Sequence, residues 1–235
     1  MNNEIGEKGE NLNLSRASRS MNIDPDEERI KIYDSYPAAG KVIKYFCMFL
    51  LLGMLTYTIY LFYYGHWIWG ILGIVGTLAL VLLTLVFGNA TKEMAYKNGL
   101  IIPAIIINTN PIEILAMADM RSMEEQEPIY GFLKMLIKDL PNHKIEMYEK
   151  IPCVSLFGMA IKGYRRHFEP RPISWGYEDA GLIPKVVDII SEEEVTNDAF
   201  KNEWEMLYYV KDKLNKDLEY ETAVFYDENL DEVEL

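Results

Sequence analysis

Three groups of residues in this chain have side-chain types and spacings that match known chemistry. Cys153 with either His143 or His167 would supply the nucleophile and base of a thiol enzyme. Cys153 follows Pro152 inside an apolar run of strand character, where a cysteine serves as a small buried hydrophobe, and nothing in the spacing brings a histidine to it. His167-Phe168-Glu169 matches the His-x-Glu of zinc-dependent base deamination, which also needs Pro-Cys-x-x-Cys further along the chain. Here Pro152-Cys153 comes before the histidine and Leu156 stands where the second cysteine belongs, so too few ligands remain. Gly40-Lys41 lacks both the earlier glycine and the following hydroxyl residue of a phosphate loop. The sequence therefore predicts no catalytic residue, no metal and no cofactor, and the chain reads as a non-enzyme.

The third group is the stretch Lys162-Gly-Tyr-Arg-Arg-His-Phe-Glu-Pro-Arg171, with four basic residues against one acid. Arginines interleaved with aromatics can hold phosphates, acidic peptides or lipid headgroups. Lys162, Tyr164, Arg165, Arg166, His167, Arg171 and the nearby Trp175 are thus the candidate surface for a partner or an anion. The opposing reading pairs these arginines with the many carboxylates of the same domain and lays their stems over its core.

The elements that must position these residues are dominated by one feature. From Tyr45 to Thr91 the chain has no Asp, Glu, Lys or Arg, a run of 47 residues in a protein whose charged fraction is 25%. A bilayer core of about 30 Å needs about 20 helical residues. Residues 45–64 and 67–87 supply two such spans, with Gly65 and His66 as the turn. The second is the stronger, with 13 Leu, Ile, Val or Phe, which at ~0.3–0.6 kcal/mol each favours insertion by about 4–8 kcal/mol. Tyr63, Tyr64, Trp67 and Trp69 flank the turn as an aromatic belt. Arg29, Lys31, Lys41 and Lys44 precede the first span, and Lys92 and Lys97 follow the second, which places both termini in the cytoplasm. A signal peptide does not fit, because 40 residues with many acids precede the run. Gly70, Gly73 and Gly76 recur every three residues and offer a smooth packing face, either for the first span around Gly53 or for a second copy.

The expected organisation is a largely disordered cytoplasmic segment over 1–40, the hairpin over 41–91, a soluble α+β domain over 92–215 and an acidic tail over 216–235. Of the net charge of −13, residues 92–235 hold −12, from 16 basic and 28 acidic side chains. That balance disfavours binding to nucleic-acid phosphates. Cys47 and Cys153 lie in different parts of the chain and cannot build a disulfide framework, which suits a reducing compartment.

Within the domain, Leu100–Ile107 reads as a buried strand, with Pro103 implying an edge or a bulge. Residues 112–118 fit either a helix opened by Pro111 or a strand, and the β-branched content favours the strand. Ile129–Leu140 reads as a helix, 151–160 and 172–176 as strands, and a last helix carries Phe200, Trp204, Leu207, Tyr208 and Leu214 on one stripe behind a capping box at Ser191. Residues 25–33 form a short helix with acids at its start. The fold class is thus a two-helix transmembrane hairpin with a C-terminal α+β domain, a small barrel-like sheet with packed helices.

Gly99-Leu-Ile-Ile-Pro-Ala, Asn110-Pro-Ile-Glu-Ile-Leu-Ala-Met-Ala, Ile151-Pro-Cys-Val, Phe168-Glu-Pro-Arg-Pro-Ile-Ser-Trp and the Trp204 helix together resemble a bacterial family known only as a domain of unknown function and found beside membrane helices. The likeness spans about half the chain; it implies a domain boundary and no activity. The expected function is a membrane-anchored cytoplasmic binding or scaffold module at the inner or plasma membrane. Its partners would be the lipid bilayer and either another protein or a second copy of itself. The alternative is an accessory or regulatory subunit of a membrane complex that acts through its hairpin. If the soluble module is the binder, residues 92–235 alone are expected to fold.

Overall fold

The computed structural model describes residues 5, 19–36, 39–87, 92–123, 125–192, 199–214 and 218–235, without the side chains of 39–44 and 83–87. Its contacts divide the chain into Met1–Ser35 with Glu93–Leu235 as one unit and Tyr36–Lys92 as another. Helix α1 (Glu27–Tyr33) starts at Asp26, whose carboxylate accepts the N–H groups of Glu28 and Arg29 at 2.8 and 3.2 Å.

Helices α2 (Ala39–Tyr63) and α3 (Trp67–Phe87) make up the second unit and pack on each other. Gly65 closes the turn between them at φ +78°, a conformation that favours glycine. Gly70, Gly73 and Gly76 lie against Phe62, Thr58 and Met54 of α2, so these small residues serve contact within the pair, while Gly53 faces open space. Outward-facing side chains such as Phe49, Leu52, Ile68 and Leu82 are exposed and apolar. Among the described residues one helical segment, Tyr45–Tyr63, is long and apolar enough to cross a membrane; Trp67–Leu82 is a shorter apolar stretch.

In the first unit, α4 (Lys92–Asn98) leads through Gly99 into an antiparallel sheet. The strands are β1 (Leu100–Thr109), β2 (Ile112–Asp119), β3 (Tyr130–Ile137), β4 (Lys150–Phe157), β5 (Ala160–Ile161), β6 (Tyr164–Arg165) and β7 (Phe168–Pro172). Helices α5 (Leu182–Glu192) and α6 (Glu203–Leu214) and strands β8 (Ala223–Tyr226) and β9 (Glu232–Val233) follow. The seven-stranded order is β7-β4-β1-β2-β3-β8-β9, with β5 and β6 as a separate pair. Helices α5 and α6 cover β1, β4 and β2. The sheet is strongly curled. A Cβ on Gly131 of β3 would meet Met120 and, at 3.2 Å, Phe168 of β7, although β7 lies four strands away, ~19 Å in a flat sheet. The β5–β6 pair bridges the curl, since Arg165 donates its N–H to the carbonyl of Met120 and Arg121 pairs with Tyr164. The barrel-like character is this curvature, and the ladder itself is open at β7 and β9.

Several expectations are corrected. The helix expected over 129–140 is instead strand β3 at Tyr130–Ile137: the apolar spacing fits both periods, but Leu136 on the expected helical stripe is 54% exposed and Gly131 is needed bare under Phe168. Pro103 sits in a central strand, on the same rung as Pro152 of β4, so two residues without an N–H share one position. The strand expected over 112–118 is present, as Ile112–Asp119. Only Pro172 of the 172–176 stretch is in a strand; Ile173–Trp175 is a 3-10 turn. Ser191 lies in the last turn of α5, donating to the carbonyl of Val187, and Asn202 caps α6 by accepting from Glu205 at 3.1 Å. Glu193 and Glu194 of the expected capping box lie outside the described residues. The segment 216–235 is no tail from Leu218 on, because β8 extends the sheet beside β3.

The largest correction concerns the N-terminal segment, of which 1–4 and 6–18 lie outside the described residues. From Arg19 to Ser35 it is built into the α+β unit. Ile101 donates its N–H to the carbonyl of Arg19, Asn22 donates to Lys97, and Asp26 donates to Gly176 at 2.7 Å. Arg19 pairs with Glu203 at 3.0 Å, and Asp34 with Arg171 at 3.3 Å, all four side chains being buried. A fragment of residues 92–235 therefore lacks part of its own core. We expect it to show no cooperative unfolding transition, while the same fragment joined to residues 19–35 by a flexible linker unfolds cooperatively; differential scanning calorimetry distinguishes the two.

Candidate functional site

The basic stretch folds as a hairpin followed by an edge strand. Ile161 pairs with Tyr164 across a two-residue turn in which Lys162 (φ 54°) and Gly163 (φ +91°) both take left-handed backbone, the geometry that matches strand twist. By burial the candidate residues separate into two sets.

Arg171, Trp175 and Arg165 point inward. Arg171 bonds Asp34 through Nε and Glu169 through Nη2 at 2.7 Å. Burial works against its charge, but Asp34 and Glu169 outweigh burial and hold its pKa above the ordinary value. Tyr96, buried beside this pair, has its pKa pushed well up by burial and by Asp34. Trp175 donates its indole N–H to the carbonyl of Asp139 at 2.9 Å. The guanidinium of Arg165 lies 5.1 Å from the ring centre of Phe157, and burial lowers its pKa. These three residues hold the fold together.

Lys162, Arg166 and His167 face solvent. Tyr164 is half-buried and donates its hydroxyl to the carbonyl of Glu127 at 3.2 Å, while His167 lies 3.7 Å from Glu169. Beside them Met159 is 86% and Ile161 48% exposed. Composition alone singled out the basic residues; these apolar neighbours were missed, and their signal was the alternation Met159-Ala160-Ile161 running into Lys162.

The thiol chemistry is not assembled. Cys153 is fully buried in β4, donates to the carbonyl of Ile151 at 3.6 Å, and burial pushes its pKa up, so it stays a thiol. His143 sits in the β3–β4 loop with its side chain 1% exposed, 3.8 Å from Glu149, and His167 is on the surface. Among the described residues no group of three or more His, Cys, Asp and Glu could hold a metal ion.

The fold and these surfaces define a class: an α+β unit of one curled antiparallel sheet, interrupted in sequence by an apolar helical pair. The chain belongs to the DUF3239 family of proteins of unknown function, whose profile matches residues 87–214. A crystal structure of a "putative membrane protein" from Corynebacterium diphtheriae is similar over 54% of this chain and 98% of that one, with 18% identity and a TM-score of 0.43. No curated protein matches the chain.

Arg171→Ala removes the ion-pair partner of the buried Asp34 and is expected to cost about 3–5 kcal/mol, whereas Arg166→Ala is expected to stay within about 0.5 kcal/mol of wild type; denaturant melts compare them. His143 gives a pH signature. Burial lowers its pKa from 6.5 to about 4, so above pH 6.5 it is neutral in both folded and unfolded chains and costs nothing. As pH falls the unfolded chain takes the proton first, and stability drops until the folded state also binds it near pH 4, a loss of about 3 kcal/mol. His143→Phe is expected to remove that part of the acid sensitivity, read as the wild-type-minus-variant difference in unfolding free energy between pH 7 and pH 4.

Proposed function

We propose that this protein is a membrane-anchored cytoplasmic binding or scaffold module, not an enzyme. In this reading α2 and α3 span the bilayer as a hairpin, both termini are cytoplasmic, and the exposed face of the β5–β6 hairpin recognises an anionic partner at the inner membrane face.

The observation that carries the reading is the interruption itself. One compact unit is made of Met1–Ser35 and Glu93–Leu235, so the chain leaves that unit and comes back to it. A water-soluble body cannot straddle a bilayer, so any crossings in between must be even in number. The outward apolar side chains of both helices support two crossings, and the lysines and arginines outside the charge-free run support a cytoplasmic location. The recognition role rests on Lys162 in the turn of the β5–β6 hairpin and on Arg166 and His167 just after it, three exposed nitrogen donors.

Two measurements test this. The full-length protein is expected to stay with membranes through an alkaline carbonate wash, and added protease is expected to digest the α+β unit in inside-out vesicles and leave it intact in right-side-out ones; digestion from the opposite side reverses the topology. A photo-crosslinking amino acid in place of Arg166 is expected to form an adduct in native membranes that one in place of Tyr209 does not. Equal yields at the two positions would remove the hairpin as the recognition surface.

A further inference from the structure

The hydroxyl groups of the helical pair differ in how they are satisfied. Thr56, Thr58 and Thr77 each donate to the carbonyl four residues back, to Leu52, Met54 and Gly73, all at 2.8 Å. A threonine can do this because its hydroxyl sits on Cβ, close to the preceding turn. A tyrosine hydroxyl stands at the far end of its ring, out of reach of its own helix backbone. Tyr57 and Tyr60 of α2 are 62% and 52% exposed. Among the described residues neither hydroxyl is hydrogen-bonded; their rings meet instead, Tyr57 stacking on Tyr60 with centres 6.3 Å apart and Tyr60 meeting Tyr64 at 4.5 Å. Helix α3 has no tyrosine.

Depth gives these hydroxyls their importance where α2 is a span. Tyr57 comes eight residues before Gly65 of the turn, about 12 Å along the helix, and half the hydrocarbon core is about 15 Å thick. Helical side chains lean towards the N-terminus, which in α2 is away from the turn. Tyr57 therefore points away from the aromatic belt, and its hydroxyl lies in hydrocarbon, where an unpaired polar group is costly.

Helix α3 does not cover them. Met54, Thr58 and Phe62 are the α2 residues that lie against Gly76, Gly73 and Gly70. At about 100° per residue, Gly53, Thr56 and Tyr60 fall on the opposite face of α2, with Tyr57 and Tyr64 at its flank. A Cβ on Gly53 would meet nothing within 4 Å, so this face carries a notch one turn from Tyr57. Such a face fits a second copy of the chain. Copies that share one topology set their α2 helices parallel, and residues of equal depth meet. The ring of Tyr57 covers the turn N-terminal to its own Cα, which is the level of Gly53 of the partner subunit. Knob and notch stand at one level on one face, as a twofold contact requires. A tyrosine hydroxyl both donates and accepts, and the Thr56 oxygen, having donated once, still accepts.

We propose that α2 associates with α2 of a second copy along this face, as a parallel pair about a twofold axis. The ring of Tyr57 packs against Gly53 of the partner subunit, and the hydroxyls of Tyr57 and Tyr60 are hydrogen-bonded between the two helices. This deepens the reading of the chain as a membrane-anchored module by naming a partner within the bilayer, and it rests on α2 and α3 spanning the membrane. The contact uses the face of α2 that α3 leaves open, while the glycine face of α3 stays within the pair.

The test uses full-length protein in phosphatidylcholine/phosphatidylglycerol vesicles on a Cys47→Ala background, Cys153 being buried. Donor and acceptor dyes on Tyr209→Cys of α6, an exposed position, report association as energy transfer while the protein-to-lipid ratio is lowered. The expected result is transfer above the level of random proximity, lost on dilution. The half-association ratio is expected to rise about three- to tenfold for Tyr57→Phe, which removes one oxygen, and at least as much for Gly53→Ile, which fills the notch. Ile59→Ala, on another exposed face of α2, is expected to leave it unchanged. Random-level transfer in protein that resists carbonate extraction overturns the inference and leaves the spanning reading intact. Association that neither Tyr57→Phe nor Gly53→Ile weakens, or that Ile59→Ala weakens as much, runs through another surface and also overturns it. A loss in Gly53→Ile with none in Tyr57→Phe overturns the hydrogen-bonded contact. Extraction by carbonate sinks the spanning reading and this inference together. Circular dichroism of each variant, expected to match the parent, separates misfolding from lost association.

Discussion

The ion pair between Arg171 and Asp34 is the contact on which the arrangement of this protein depends. Its guanidinium is 4% exposed and the carboxylate is fully buried. Removing two charges from water costs several kcal/mol apiece and is offset only where geometry and further hydrogen bonds are good. Glu169 supplies a second carboxylate at 2.7 Å and its own carbonyl supplies another acceptor. The carboxylate of Asp34 comes from a segment before the helical pair, and the guanidinium from a strand after it. The α+β unit can therefore satisfy its buried charge only when both parts of the chain are in place. The Arg19–Glu203 pair makes the same link to α6.

Helix α1 is held to the α+β unit by Asp26, Arg29 and Asp34, and α4 by Tyr96, whose carbonyl accepts the hydroxyl of Tyr177 at 3.0 Å. The glycine face of α3 is occupied by α2, which turns the pair inward on its small residues and leaves large apolar side chains outside. The glycine face is thus used within the pair and not left open for a second chain.

The basic stretch shows how one composition serves two ends. Arg171 and Arg165 are held by Asp34, Glu169 and the face of Phe157, whereas Arg166, one residue from Arg165, meets solvent. Arg165 is the last residue of β6 and Arg166 lies just beyond it; burial decides which cations are structural. The reading that pairs these arginines within their own domain holds for Arg171 and Arg165.

The charge-free run was legible from the sequence because apolar transfer is a property of composition: 47 residues without an ionisable Asp, Glu, Lys or Arg carry their meaning wherever they fold. The α+β class, the strand at 100–107, the last helix and the burial of Cys153 were legible for a related reason, since local propensity and apolar periodicity agree there. The helix expected over 129–140 failed because a spacing that suits 3.6 residues per turn also suits a strand buried on both faces, and pairing with β2 and β8, distant in sequence, decided the outcome. The N-terminal segment and the acidic C-terminal stretch looked unstructured because each alone has too few apolar residues to offset its ordering entropy. Tertiary structure ordered them by supplying what they lack: Arg171 and Glu203 for the buried charges of Asp34 and Arg19, and the free edge of β3 for Ala223–Tyr226. Composition fixed where the chain is apolar; only contacts between residues far apart fixed which charges are buried and which face outward.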